Sequence, residues 1–209
     1  SKEKQLKRNL AQKQRDAAKL ALAIKAAIRR EIELAKKKAE EEARAAAAKA
    51  KAEGREAPVV KSSGSILAAT PEAAKLSADF VSNRGRLPWP VANGVVTESY
   101  GTQKIGNVTK ENNGWTIRTN SNAAVRAVFS GTVTKIVEIS GRQVVMIRHG
   151  EFFTVYQNLK SVSVSAGQKV TTKQTLGTVG ADEDGLSEVH FELWKSFDTQ
   201  NPSSWLAPN

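Results

Sequence analysis

Ser187-Glu188-Val189-His190-Phe191-Glu192-Leu193-Trp194 decides the reading of this chain, because its alternation is that of a β-strand with one polar face. Alternate side chains on a strand share a side, so Glu188, His190 and Glu192 point one way and Val189, Phe191 and Leu193 the other. An HxH pair on such a strand, with a third ligand from elsewhere, would make a zinc hydrolase site. Here the first of the two positions is Glu188, and His190 stands without its companion.

Upstream of this strand, from Leu87 on, the pattern is β throughout. Asn93-Gly94 and Ser140-Gly141 are turn dipeptides set among strand-like runs at 95–100, 132–139, 143–149 and 152–156. Gly131, Gly167, Gly177 and Gly180 punctuate short strands, as in a compact antiparallel sheet. His149, beside Gly150, has no ligand partner within sequence reach and reads as a structural or turn histidine.

The N-terminal part speaks a different language. Between Lys2 and Glu53 there is neither Pro nor Gly, and good helix formers dominate, so one helix roughly 75 Å long is expected. Leu6, Leu10, Ala17, Leu20, Ile24, Ile28 and Ile32 fall near one stripe, although a strict heptad from Leu6 would put Lys13 and Glu31 in the seam. The pattern is that of half a coiled coil. The stripe wants a partner: an upstream helix, a second copy, or the protein's own globular domain, the plainer alternative being a solvated spacer. Gly54 is a helix stop, and 54–65 has linker composition. Thr70-Pro71-Glu72 then reads as an N-cap, a Pro at the first helical position and an acidic first turn. It opens a short helix over 71–82 with Ala73, Leu76 and Phe80 on one face. That helix either restrains a binding surface or caps the edge of the domain.

Charge divides the same way. Of the formal +11, residues 1–57 carry most, with 17 Lys or Arg against 9 Asp or Glu. Both signs are interleaved and no aromatics alternate with the basic residues, which argues against nucleic-acid binding. The absence of Cys excludes a disulfide framework, a thiolate zinc site and a thiol nucleophile. No run of 18 apolar residues is present to span a membrane. The opening SKEKQLKRNL is charged and already helical in pattern, so an exported protein would be seen here as a mature fragment beginning inside a helix.

Several stretches together carry a family resemblance. RGRLPWPVANGVVTESYG (84–101), NNGWT (112–116), AVRAVFSGTV (124–133), MIRHGEFFTVYQNL (146–159), VSAGQKVTTKQTLGTVG (164–180) and EVHFEL (188–193) resemble the lysostaphin/LytM-type zinc peptidase domain. In its catalytic members the resemblance implies a metal held by an HxxxD motif and the second His of HxH, with two further catalytic histidines. Those five positions read Asn112, Thr116, His190, Asn158 and Glu188, so one of five matches. Neutral Asn and Thr oxygens are poor zinc ligands, and Asn158 cannot take up a proton. No metal, no cofactor and no peptidase activity are therefore expected.

Among LytM-type domains the chain is most similar to the EnvC-like murein hydrolase activators, which join a coiled coil to a metal-free LytM domain. The fold so implied is α+β, a long coiled-coil-type helix followed by an antiparallel β LytM-like domain. Its divisions would be 1–54 for the helix, 55–84 for a linker and short helix that could act as a regulatory arm, and 85–209 for the degenerate domain. The function implied is non-catalytic activation of a periplasmic peptidoglycan (N-acetylmuramoyl-L-alanine) amidase in cell division and daughter-cell separation. A membrane division complex would be reached through the coiled coil, and the preceding helices would inhibit by covering the groove. Asn112, Trp115, Thr116, Tyr156, Asn158, Glu188 and His190 are the residues expected to line that groove, the blander account being that Trp115 and Tyr156 fill the core. The alternative function is a peptidoglycan-binding or scaffold protein of the cell envelope. A barrel-sandwich carrier domain, suggested by 165–180, lacks a modifiable Lys at a tight turn.

Overall fold

Fifty-one residues without Pro or Gly form one continuous helix, α1 (Lys2–Ala52), which stops at Glu53 and Gly54, the latter at φ 68°. The computed structural model describes residues 1–59 and 64–209, so 60–63 of the expected linker lie outside the described residues. A 3-10 turn at Ile66–Ala68 leads into α2 (Pro71–Ser82), whose first turn is capped by Thr70 Oγ1 accepting from the Ala73 N–H.

The remainder is antiparallel β. In chain order the strands are β1 (Val95–Glu98), β2 (Gly101–Ile105), β3 (Val108–Asn112), β4 (Trp115–Arg118), β5 (Ala124–Arg126) and β6 (Gly131–Ile139). They continue as β7 (Arg142–His149), β8 (Phe152–Val162), β9 (Lys169–Val170), β10 (Thr175–Val179), β11 (Glu188–Lys195) and β12 (Asp198–Gln200). The main sheet runs β1-β4-β11-β8-β7-β6-β9, with β5 and β10 joined to it through β8 and β12 through β11; β2 and β3 form a separate hairpin. The architecture is thus α+β, a long helix followed by an antiparallel β domain.

The sheet is buried on both faces, and the pleat separates two cores. On β7, Val145 and Ile147 join one cluster and Val144 and Met146 the other. On β11, Val189, Phe191 and Leu193 join the first and Trp194 the second. The first core is closed by α2 and the C-terminal segment: Phe80 is fully buried and stacks on Phe152, with ring centroids 4.7 Å apart, beside Trp205 and Leu206. Phe80 thus seats α2 against the edge of the domain.

α1 covers the second core. Leu20, Ile24 and Ile28 are buried against Val144, Met146, Phe153, Val155 and Trp194, each such side chain contributing about 2 kcal/mol through its removal from water. The stripe that suggested a coiled-coil seam is used here, between Leu20 and Ala35, on the protein's own sheet. Leu6, on the same stripe, overhangs the domain and is 70 % exposed. Where the heptad put Glu31 in the seam, that carboxylate meets Arg148 at 3.3 Å; the guanidinium also donates to the Leu67 and Gly150 carbonyls.

Candidate partner-binding cleft

The face of the sheet that α1 covers does not stay apolar. Along β11, Trp194 gives way on the same side to Glu192, His190 and Glu188, and along β8, Phe153 and Val155 give way to Gln157. The polar end of this face is a cleft of about 250 Å³. Its floor pairs His190 opposite Thr116 on β4 and Gln157 on β8.

Most polar groups in the cleft already have partners. His190 Nδ1 lies 3.3 Å from Thr116 Oγ1 and its Nε2 lies 3.1 Å from Glu192 Oε1. Glu192 is 3 % exposed, and its other oxygen accepts from the Trp194 indole N–H at 2.9 Å. Glu188 accepts from Arg118 at 3.1 Å. Glu98, on β1, is held by Lys110 of the β3 hairpin strand at 2.7 Å. Burial alone would raise its carboxyl, but the Lys110 ammonium, helped by the charges of Lys13 and His190, holds it below the usual value.

Two of the cleft's asparagines serve the backbone. Asn112 is buried; its amide donates to the Ser99 carbonyl at 2.9 Å and its oxygen accepts from the Gly114 N–H at 3.2 Å. A Cβ on Gly114 would stand 2.0 Å from the Phe191 carbonyl oxygen, so only glycine lets β4 enter this close to β11. Asn158 adopts φ 71° where β8 leaves regular register, and its amide donates to the carbonyls of Glu188 at 2.6 Å and Gly180 at 3.3 Å.

Five of the seven residues expected at the groove, Asn112, Thr116, Asn158, Glu188 and His190, line this one cleft. Trp115 and Tyr156 do not. In the register Trp115 and Tyr156 lie on either side of Phe191, so all three point into the first core. Trp115 packs on Trp89 with centroids 5.5 Å apart. Tyr156 is fully buried, its ring 5.5 Å from that of Phe191 and its hydroxyl accepting from the Val128 N–H at 3.0 Å. That environment pushes its hydroxyl pKa well above the ordinary value, chiefly through burial. Glu98, Lys110, Gln157, Asp182 and Glu192 line the cleft although they were not among the expected set. Glu192 alone carried a usable signal, its parity with His190.

α1 supplies the roof. Lys13, Asp16, Ala17 and Leu20 face the cleft. Asp16 accepts from the Ser140 hydroxyl at 2.8 Å, and Asn9 donates to Glu183 at 2.8 Å just beyond the cleft.

Residues 110–202 match Peptidase family M23. The β unit is an M23, LytM-type domain. Its sequence is 39 % identical over 88 residues to stage II sporulation protein Q of Bacillus subtilis, covering 39 % of this chain and 31 % of that protein. The chain is 29 % identical over 141 residues to cell division protein DipM of Caulobacter vibrioides, covering 63 % of this chain and 22 % of that one. The chain therefore spans less than a third of the length of these relatives. In structure it is similar to SpoIIQ as seen in the SpoIIQ–SpoIIIAH pore-forming complex, with a TM-score of 0.52 at 27 % identity over 58 % of this chain and 90 % of that chain.

The M23 fold implies a zinc ion, and the donor set tests whether one fits. Two of the positions present amide groups bonded to main chain, a third a hydroxyl, and the single imidazole sits between Thr116 and a buried glutamate. The carboxylates of Glu98 and Glu188 are paired with Lys110 and Arg118. Among the described residues no group of three His, Cys, Asp or Glu converges to hold a metal. These residues do not fit a catalytic zinc site, which needs three protein ligands and an open position.

Proposed function

We propose that this chain is a non-catalytic activator of a peptidoglycan N-acetylmuramoyl-L-alanine amidase, acting in the periplasm in cell division and daughter-cell separation. The LytM cleft is its partner-binding surface, and α1 inhibits it. The observation that supports this reading most directly is that α1 roofs the cleft whose donor set does not fit zinc. A surface covered by the chain's own helix is one for which a partner must compete. The division role of one relative is in its name, and another is known in complex with a second protein, which is consistent with a domain of this kind meeting a protein partner. No Trp, Tyr or Phe lines the cleft among the described residues, so it offers no aromatic platform for a sugar ring, and the peptidoglycan-binding reading is the weaker one.

The test is a titration of a periplasmic amidase with the full chain and with a chain lacking residues 1–19. Removal of everything before Arg84 is unsuitable, because it would strip Phe80 from the first core and uncover Met146, Phe153 and Trp194. The shortened chain should bind and stimulate roughly tenfold or more better, since a covered site lowers apparent affinity by the fraction of molecules that are open. Equal affinity would remove the inhibitory role. No stimulation by either chain would remove the activator reading, and retention on purified peptidoglycan would then support the scaffold alternative.

A further inference from the structure

α1 is one helix by its hydrogen bonding and two by its packing. From Leu20 to Ala35 its inward face is buried at Leu20, Ile24, Ala27, Ile28 and Ala35, with Arg148 clamping Glu31. From Lys2 to Lys19 no residue is buried. Its side-chain hydrogen bonds to the domain are Asn9 on Glu183 and Asp16 on Ser140, both pairs exposed, with the charge of Lys13 acting on Glu98 and only Ala17 of its apolar residues lining the cleft. Composition follows the same division. Residues 2–19 carry seven Lys or Arg against two acidic residues, whereas 20–35 carry three against two. The domain side of the cleft is of opposite sign, lined by Glu98, Glu111, Asp182, Glu188 and Glu192 against Lys110.

We infer that residues 2–19 are an electrostatic latch over the cleft and that residues 20–35 are a permanent anchor. The cleft opens when the latch alone departs, by bending of α1 ahead of Leu20, while the second core stays covered. Exposed pairs and long-range attraction between exposed charges are weakened by salt, whereas burial of Ile24 and Ile28 is not. A helical stretch with no buried residue draws little stability from tertiary packing, so residues 2–19 separate from the cleft without disturbing the sheet. The trigger is accordingly local: a partner that draws on the first five turns of α1, or offers the acidic cleft a better cation, opens it without unfolding the domain. The link from opening to regulation rests on the reading of α1 as inhibitory; the latch itself does not.

The chain has no cysteine, so paired nitroxide labels can be placed without background. Gln14→Cys with Lys160→Cys reports the latch, and Ala26→Cys with Lys160→Cys reports the anchor; all three positions are exposed. Distances are measured by pulsed dipolar spectroscopy on the full chain. When salt rises from about 0.05 M to about 0.5 M, shortening the screening length severalfold, the latch pair should gain a second, longer and broader population while the anchor pair keeps one distance. Lys13→Glu, which sets a carboxylate against Glu98, should produce that second population already at low salt. A single distance for both pairs under every condition, or a shift of both together, overturns the division. If the latch opens as described while the chain lacking residues 1–19 binds amidase no better than the full chain, the latch stands and the inhibitory reading falls. If neither label pair responds while the shortened chain binds better, the inhibitory reading stands and the latch falls.

Discussion

The two histidines of this chain occupy opposite kinds of site, one in the cleft and one in the core beneath α2. His190 lies in the polar floor of the cleft, hydrogen-bonded to one hydroxyl and one carboxylate, 20 % of its side chain reaching solvent. His149 is fully buried, stacked on Phe80 with centroids 5.0 Å apart. Its Nδ1 lies 2.7 Å from the Ser130 carbonyl, which can only accept, so the neutral ring carries its proton there. Nε2 is left to accept from Thr154 Oγ1 at 2.8 Å, and Thr154 lies 3.0 Å from the Tyr156 hydroxyl. The family resemblance points to His190, the one of its five positions that matches here. Physical reading assigns the stability to His149. The same residue type is a partly exposed cleft group in one setting and a fully buried structural element in the other.

Replacement separates them most sharply. His149→Ala should destabilise the protein by about 3 to 5 kcal/mol, since it opens a cavity among aromatic rings and orphans a buried carbonyl and hydroxyl. His190→Ala should cost under about 1 kcal/mol, because its neighbours can turn to water. Urea denaturation of the two variants measures the difference. Comparable losses would break the distinction.

Acid acts on the same contrast with a smaller amplitude. Burial pushes His149 down to about 4, and its bond to Ser130 offsets this only in part. Its folded value lies below the unfolded one, so the folded state resists protonation that the unfolded chain accepts. The contribution is full above pH 6.5 and is lost progressively as pH falls toward 4, amounting to about 3 kcal/mol over that window. Glu98, whose carboxyl is also depressed, loses its contribution only at lower pH, below the ordinary carboxylate value. Denaturant midpoints between pH 7 and 4.5 should fall in the parent protein and in His190→Ala alike. In His149→Gln, which has no titrating ring, the slope between pH 6.5 and 5 should be much shallower.

Tyr156→Phe sharpens the comparison on the core side. It keeps the ring packed on Phe191 but leaves the Val128 N–H without its acceptor and removes a neighbour of Thr154. The expected loss is about 1 to 2 kcal/mol, with any stimulation of an amidase unchanged per folded molecule. If Tyr156→Phe abolished stimulation at full stability, Tyr156 would belong to the binding surface after all.

That assignment shows where sequence reading works and where it stops. Thr70-Pro71 and the long run without Pro or Gly located both helices, since caps and breakers act within a few residues. Parity along β11 placed Glu188, His190 and Glu192 together for the same reason. Parity also forbids Trp115 and Thr116 from sharing a face, an internal conflict already present in the expected groove. Tyr156 is different: its side is fixed by its pairing with Phe191 across two strands more than thirty residues apart, which no local pattern encodes. Nor could composition say that the stripe of α1 would meet Trp194 and Phe153, or that Lys110 would fold back on Glu98 through a hairpin.

The smallest expected effect concerns zinc. Binding the ion at His190 would require its Nε2 to leave Glu192, or its Nδ1 to leave Thr116, and would still find only carboxylates already facing Arg118, Lys110 and the Trp194 indole. Each exchange gives up an existing hydrogen bond for one metal bond, and neither Asn112 nor Asn158 can turn inward without orphaning main-chain carbonyls. A ligand that binds the folded state a hundred times below its concentration adds about 2.7 kcal/mol of stability, a shift easily seen in a melting curve. Micromolar zinc should therefore move the melting temperature by no more than about 1 °C, and His190→Ala should not alter even that response. A shift of several degrees that His190→Ala or Glu192→Gln abolishes would show that the cleft can rearrange around a metal. His190 would then have to be understood as a ligand held in reserve, and its contrast with His149 would become one between two structural roles.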